Sequence, residues 1–391
     1  MNFHDLNEVW WEHRAERRLL VHDVFYGFQG RLWMVMPAFA TCWQPNDPNV
    51  AFQLGKTCEQ HPPTIMFTDE VEPGFVSEVT VDGDPPVEMF REDKHPILLA
   101  WDMPAHPDHV TVTVATGEAT LETVVEVPDP PSGQVSCAAT TESVNPAGQV
   151  EDWIRHCRSI GVERFYVYDN NLPPYEPYRF DDADVTVIRW PTPTHFMVPS
   201  YPHHRTRYDG GDMVALTWLG SQLAHQAHAL YKYAPLCGWL FFADTDEYPN
   251  LLQYGSLQEL LAQDEGRAAV TLGSVFYGER EEEDAETVTG RYLWREPLVE
   301  TQAYGRRKPL VRAANMRPGE RVVVHDYAEV GNEMNVNVLR KEPFTAERWR
   351  QVPLDEARIN HYYACRWQSK LVRHGLPGDV FVDEFDDSIL R

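Results

Sequence analysis

Along the first 131 residues, apolar and polar positions alternate in short runs broken by Pro, Gly and Asp: RLWMVM, PTIMFTDEV, FVSEVTVDG, ILLAW, HVTVTVATG and ATLETVVEV. Val110, Val112 and Val114 keep one face apolar at a period of two, the pattern of a half-buried strand. Short strands separated by turn residues predict an antiparallel, sandwich-like β domain over residues 1–131. Its charges form no reactive grouping. VPDPPSGQ, Val127 to Gln134, reads as a linker, since Pro and Gly punctuate a chain without supporting a ladder.

From Val135 the pattern changes to strand, helix, strand. VSCAA is a short strand; Val150, Trp153, Ile154 and Cys157 fall at i, i+3, i+4 and i+7 on one helix face; RFYVY is the next strand and ends in Asp169, Asn170 and Asn171. VTVIRW follows, then a long loop, Pro191 to Asp212, of the kind that covers active sites. Trp218, Leu219, Leu223, Ala227, Leu230 and Ala234 predict an amphipathic helix. It leads into GWLFFADTDEYPN, where Trp239 to Ala243 give a run without polar alternation, suited to a strand covered on both faces. Ser256 and Glu259 predict a capping box for SLQELLAQ, and AAVTLGSVFYG another strand. Ile359 to Tyr362 reads as a short strand and Arg366 to His374 as a helix ended by Gly375. Residues 132–391 are therefore expected to form an α/β domain, its Trp239–Ala243 strand suited to a parallel sheet.

Candidate chemistry begins where the Trp239–Ala243 strand should end, with Asp244, Asp246 and Glu247. Ligands of open α/β sheets bind beyond the carboxyl ends of the strands, and Asp-x-Asp offers hard oxygen ligands to a divalent cation that can in turn hold nucleotide phosphates. The bland reading of three neighbouring acids is a solvated turn. His361 could add an imidazole to the two carboxylates, and Lys370 could reach a phosphate. GRRKPLVR concentrates Arg306, Arg307, Lys308 and Arg312, a cationic group for which diphosphate is a natural anion. GEREEEDAE, Gly278 to Glu286, reads first as a solvated acidic loop; its carboxylates could instead include a catalytic base. A His225/His228 pair on the helix has no third ligand nearby in sequence, and core or surface histidines suffice to explain it.

Composition narrows the function. The formal net charge of -26 over 391 residues opposes any protein that grips phosphate backbones, so nucleic acid is not an expected partner. The six cysteines are scattered without a C-x-x-C pair and read as reduced core residues. The longest apolar run, around Leu32 to Trp43, is interrupted by Pro37 and Thr41 and falls short of a membrane span. The N-terminus, with Asp5, Glu8, Glu12 and His13, lacks the form of a signal peptide. The chain is expected to be soluble and cytoplasmic; oligomeric state has no signature in the sequence.

Taken together, these pieces resemble a glycosyltransferase of the GT-A fold, in particular glycosyltransferase family 92, over about Val135 to Gly375, which implies a Rossmann-like mixed sheet flanked by helices. In that family a cysteine strand leads to an Asn-Glu-x-x-x-x-Glu-Glu-Trp helix; Asn145 and Glu151-Asp152-Trp153 keep the spacing, with Pro146 in place of the Glu. GVERFYVYDNN, Gly161 to Asn171, resembles the family's Gly-Val-Asp-His-Phe-Tyr-x-Tyr-Asp-Asn-Asn. Gln222 and Asp244-Thr245-Asp246-Glu247 are similar to its Gln and Asp-x-Asp-Glu. Phe276-Tyr277-Gly278 resembles a Phe-Gly element, Lys308 to Arg312 a Lys-x-Ile-x-Arg-Pro stretch lacking the final Pro, and His325 the His beyond it. Asn360-His361-Tyr362 matches the closing Asn-His-Tyr, with the following Lys-Ser inverted as Ser369-Lys370.

The resemblance implies transfer from a nucleotide sugar, most often a UDP-sugar, to a carbohydrate acceptor, with Mn2+ or Mg2+ as the ion. Asp169 would contact the nucleoside with Asn171 and Gln222 in the same donor site; Asp244 and Asp246 would lie at the ribose and metal; His361 would complete the metal shell; Lys308 and Arg312 would stabilise the departing diphosphate. Inversion at the anomeric carbon calls for a carboxylate base, with Glu247, Glu283, Asp284 and Asp326 as candidates. Two rival readings stand beside it: a haloacid-dehalogenase-like phosphatase, which shares the Asp-x-Asp motif but expects Thr or Val where Tyr248 stands, and a carbohydrate-binding protein whose transferase domain is inactive, supported by the altered Asn145-Pro146 and Ser369-Lys370 elements.

Overall fold

The structure is a computed structural model. It describes every residue except 1, 5, 14–15, 37–38, 45–63, 71–75, 91–95, 104, 117–119, 128–133, 144–146, 170–176, 191–196, 199–214, 217, 279–286, 324–325, 329–346, 363–383, 387 and 391. Two compact units emerge: Met1–Gly133 with Tyr168–Asp181 and Val187–Leu236, and Gln134–Val167 with Asp182–Thr186 and Cys237–Arg391. The division is thus not one cut in the chain. Segments after the β-rich region return to the first unit.

In the first unit, the strands Asp23–Tyr26, Leu32–Met36, Ile97–Trp101 and Glu88–Phe90 form one antiparallel sheet, in that order. A second runs Thr120–Glu126, His109–Thr116, Val76–Val81, and a third Val9–His13, Glu16–Val21, Phe39–Gln44, Thr64–Glu70. Val110, Val112 and Val114 are buried on alternate positions, as their spacing predicts, and share one core with Val79, Val81, Leu32, Met34, Leu99 and Trp101. Two sheets burying facing apolar sides make a sandwich.

The helix Trp218–Lys232 belongs to this unit and departs from the amphipathic expectation. From Gln222 through Ala234 every residue is buried, including His225, Gln226, His228 and Lys232. His228 and Lys232 find their partners inside the unit. His228 Nε2 and Lys232 Nζ both reach Asp23 Oδ2, at 2.8 and 2.6 Å, while His228 Nδ1 lies 2.6 Å from the Tyr168 hydroxyl. Tyr231 covers the Phe28 and Trp33 rings at 5.5 and 4.4 Å. His225 packs on Tyr168 at 4.4 Å, so this histidine pair is core material.

The second unit is built on a mixed sheet with the order Arg164–Asp169, Val135–Ser143, Cys237–Phe242, Lys308–Val311, Ala269–Leu272, Trp349–Val352. Val135–Ser143 and Cys237–Phe242 are parallel, whereas Lys308–Val311 runs antiparallel to both of its neighbours. Helix Ala147–Ser159 contributes Val150, Trp153, Ile154 and Cys157, all buried, as their spacing predicts. A smaller sheet orders Glu247–Asn250, Arg358–Tyr362, Ser274–Gly278, Trp294–Arg295 and Glu384–Phe385.

AAVTLGSVFYG is therefore two strands in two sheets rather than one. The break falls at Gly273, where a Cβ would come within 2.6 Å of Leu354 Cδ2 and 2.9 Å of Tyr304 Cδ1. A side chain there would have to displace Leu354 and Tyr304. The helix after Ser256 is also shorter than expected, Leu257–Leu261; Ser256 Oγ accepts the Glu259 N–H, and Glu259 reaches back to the Gly255 N–H at 2.7 Å. Cys137, Cys157 and Cys237 are buried free thiols, and burial pushes Cys237 up to about 12. Among the described residues no helix is long and apolar enough to cross a membrane.

Candidate functional site

The Cys237–Phe242 strand is buried because neighbouring strands cover both its edges and its side chains face apolar layers. Its parallel register with Val135–Ser143 ends at Thr140 opposite Phe242, and the Ala243 N–H donates to the Thr140 carbonyl. Asp244, Thr245 and Asp246 then turn the chain out of this sheet. The Glu247 N–H closes the turn on the Asp244 carbonyl at 3.0 Å, and the Asp246 carbonyl accepts the Tyr362 N–H at 2.7 Å. The next strand, Glu247–Asn250, pairs antiparallel with Arg358–Tyr362 so that Glu247 stands opposite His361. The acids thus lie at the junction of two sheets.

A cation enters from the other side. Leu240 pairs with Val311 and Phe241 with Leu310, a register that carries Lys308 to the end of the Cys237–Phe242 strand. Lys308 Nζ lies 3.0 Å from Glu247 Oε2 and 3.3 Å from Asp244 Oδ2. Glu247 Oε2 also accepts the Asp244 N–H at 2.8 Å, and the Glu247 carbonyl accepts Trp153 Nε1 at 2.9 Å. His361 straddles the acids, with Nε2 3.6 Å from Asp246 Oδ2 and Nδ1 3.5 Å from Glu247 Oε1. These last two separations exceed a hydrogen bond.

Burial sorts the cluster. Asp246 and Glu247 are 0% exposed and Lys308 1%, whereas Asp244 and His361 keep 17% and 14% of their side-chain surface, which marks the open side. Burial alone would lower the Lys308 pKa, but the carboxylates of Asp244 and Glu247 outweigh it and push the ammonium up to about 12. Burial pushes the Glu247 carboxyl above its usual range, against the pull of Lys308.

Asp244, Asp246, Glu247, Lys308 and His361 are thus brought together. Arg312 is not with them: it follows the strand that Lys308 begins, four residues on, about 13 Å away in extended chain. Its guanidinium lies 5.9 Å from the Trp239 ring, at the opposite end of the Cys237–Phe242 strand, so the anticipated Lys308/Arg312 diphosphate clamp does not form. Asp169 and Gln222 belong to the first unit. Asp169 Oδ2 accepts the Tyr178 N–H at 2.8 Å, and Gln222 is buried on its helix. The backbone of Asp326 opens the short strand Asp326–Ala328. Asn171, Glu283, Asp284, His325 and Lys370 lie outside the described residues.

One participant escaped the sequence reading, and one strand runs longer than expected. Trp153 is a helix-face residue whose indole also fixes the Glu247 backbone. Glu142 is buried at the end of a strand that runs to Ser143, beyond the VSCAA expected of it. The β-branched Thr140 and Thr141 were the signal for the longer strand.

Among the described residues no three His, Cys, Asp or Glu side chains form a group that holds a metal ion by itself. The donor chemistry nonetheless suits a small divalent ion. Such ions take one or two protein ligands and fill the remaining positions with water and substrate phosphate. Asp246 and His361 are a carboxylate–imidazole pair of that kind, with Asp244 beside them.

The family model for glycosyltransferase family 92 matches residues 133–388, well over half of the chain. A glycosyltransferase family 92 protein of Oryza sativa subsp. japonica is 29% identical over 117 residues, 30% of this chain and 16% of that protein. Another, from Ricinus communis, is 28% identical over 110 residues, 28% of this chain and 16% of its own length. The matched segment thus covers a small part of each relative. The matched region contains the whole carboxylate–lysine–histidine cluster, and this chain belongs to glycosyltransferase family 92.

Proposed function

We propose that the protein is a metal-dependent glycosyltransferase that moves a sugar from a nucleotide-sugar donor, UDP-linked, to a hydroxyl of a glycan acceptor with inversion. The observation that carries this reading is the half-open cluster at the sheet junction. Asp244 and His361 face outward while Asp246 backs them from inside and Lys308 supplies fixed positive charge. Asp246 and His361, with Asp244, would hold Mn2+ or Mg2+. When bound, the ion supplies Lewis-acid stabilisation of the diphosphate leaving group, an effect of several kcal/mol.

The chain's own groups do the rest. Glu247 is fully buried and occupied by Lys308, so it fixes that lysine rather than meeting an acceptor hydroxyl, which a general base must reach within about 3 Å. Asp326, Glu283 and Asp284 remain the candidates for the base. That base takes the acceptor proton as the hydroxyl oxygen attacks the anomeric carbon from the face opposite the diphosphate.

The test is UDP release from UDP-glucose, UDP-galactose and related donors, with and without manganese. Manganese-dependent turnover that falls by about 100-fold or more in Asp246→Ala is expected. Turnover indifferent to Asp246→Ala, or phosphate release from simple phosphate monoesters instead, refutes the proposal; silence combined with sugar binding identifies an inactive carbohydrate-binding protein.

A further inference from the structure

Lys308 stands where a substrate-binding lysine would be expected, but its surroundings assign it another task. Its backbone is clamped in the middle of the mixed sheet, opposite the end of Cys237–Phe242 on one side and paired with Leu272 on the other. Its side chain is 1% exposed, and its ammonium is already committed to Glu247 at 3.0 Å and Asp244 at 3.3 Å. Of these partners, Glu247 is entirely enclosed and Asp244 reaches the open side. An ammonium donates in three directions and accepts in none, so Lys308 spans an internal and an outward carboxylate as a fixed cation would.

We propose that Lys308 is a positioning residue, the resident counter-ion of the acidic cluster, which holds Asp244 and Glu247 in place and opposes a divalent cation for the Asp244 carboxylate. Resting on the metal-dependent reading above, this deepens it: the bare protein binds the ion weakly, and the donor diphosphate brings the additional oxygens that make binding tight. The physical reason is Coulombic. A unit positive charge a few ångströms from the cation position raises the ion's energy, and its removal strengthens ion binding by about tenfold or more at the effective dielectric of a partly buried site. Glu247 acts with the opposite sign, since it adds a negative charge and draws Lys308 away from Asp244.

The experiment titrates Mn2+ into the full chain without nucleotide, followed by electron paramagnetic resonance of the free ion and by calorimetry. Lys308→Met is expected to bind Mn2+ at least about tenfold more tightly than the unaltered protein, and Glu247→Gln to bind it more weakly. Both are also titrated with UDP in saturating Mn2+. Unchanged or weaker Mn2+ binding by a folded Lys308→Met, or no Mn2+ binding by any of the three proteins, overturns the proposal, as does a loss confined to UDP affinity, which would make Lys308 a phosphate ligand. Should Lys308→Met fail to fold, Glu247→Gln decides alone, and unchanged Mn2+ affinity in it refutes the role. Opposite shifts in the two variants without any UDP-sugar turnover would sink the transferase reading and leave the counter-ion standing.

Discussion

The buried network of the first unit allows its most demanding test at Asp23. This carboxylate is 0% exposed and holds the Asn7 and Val24 N–H groups on Oδ1, both at 2.9 Å, and His228 and Lys232 on Oδ2. Burial lowers the Lys232 pKa and the Asp23 charge opposes that fall, so the ammonium depends on this partner. Asp23→Ala removes the acceptor while leaving the lysine enclosed between the Phe25 and Tyr233 rings, at 5.1 and 5.7 Å. Breaking one side of a buried ion pair costs about 3–5 kcal/mol, because the surviving charge has lost its compensation. Replacing both partners by apolar groups removes that charge but leaves the Asn7, Val24 and His228 donors without their acceptor, so Asp23→Leu with Lys232→Met should recover part of the loss. The assay is urea unfolding combined with hydrogen exchange of the Leu32–Met36 amides, which lie on the strand paired with Asp23–Tyr26. A loss below about 1 kcal/mol in Asp23→Ala, or a double variant no more stable than the single one, would refute the account of Lys232 as a dependent charge.

Two further outcomes follow from the second unit. Burial tends to raise the Asp386 pKa, but hydrogen bonds from Ser388 and the charges of Arg358 and Arg295 outweigh it and hold the carboxyl at about 2. Its stabilisation is therefore complete above the ordinary Asp value near 4 and is lost as pH falls through about 2; Asp386→Asn should cost about 2 kcal/mol near neutrality, with the gap to the unaltered protein in urea midpoint narrowing below pH 4. Gly161 sits at φ +98° and a Cβ there would come 2.1 Å from Gln258 Oε1, so Gly161→Ala should cost about 1–3 kcal/mol in the same assay, and a neutral result would mean that the turn after Ala147–Ser159 can relax.

Periodicity made the local elements legible. The valines of His109–Thr116 and the apolar stripe of Ala147–Ser159 announced the faces they bury, because side-chain spacing and burial are coupled directly. The acids after Phe242 were legible for the same reason: an apolar run ending in carboxylates marks a strand end. What stayed hidden depends on partners distant in sequence. The Trp218–Lys232 helix looked amphipathic because His225, His228 and Lys232 are polar, yet Asp23 and Tyr168 make them interior residues. The cationic run from Arg306 to Arg312 looked like one patch. A strand disperses it, leaving Lys308 among the acids and Arg306 paired with Glu296 over the Phe276 ring.

The roles within Asp244–Glu247 likewise follow from position rather than from residue type. An extended chain alternates its side chains, but here a turn separates two strands of different sheets, so neighbouring carboxylates meet different dielectric surroundings. Glu247, opposite His361 and beneath Lys308, has its charge balanced from within. Asp244 has one oxygen against Lys308 and keeps part of its surface open. Closely packed acids of this kind repel one another, and an internal ammonium lowers that cost without cancelling it. Negative charge left on the open side is what the proposed cation would meet there. It also explains why a lysine, whose charge is compact and whose tether is fixed by the sheet, suits the position better than the planar, forked guanidinium of an arginine.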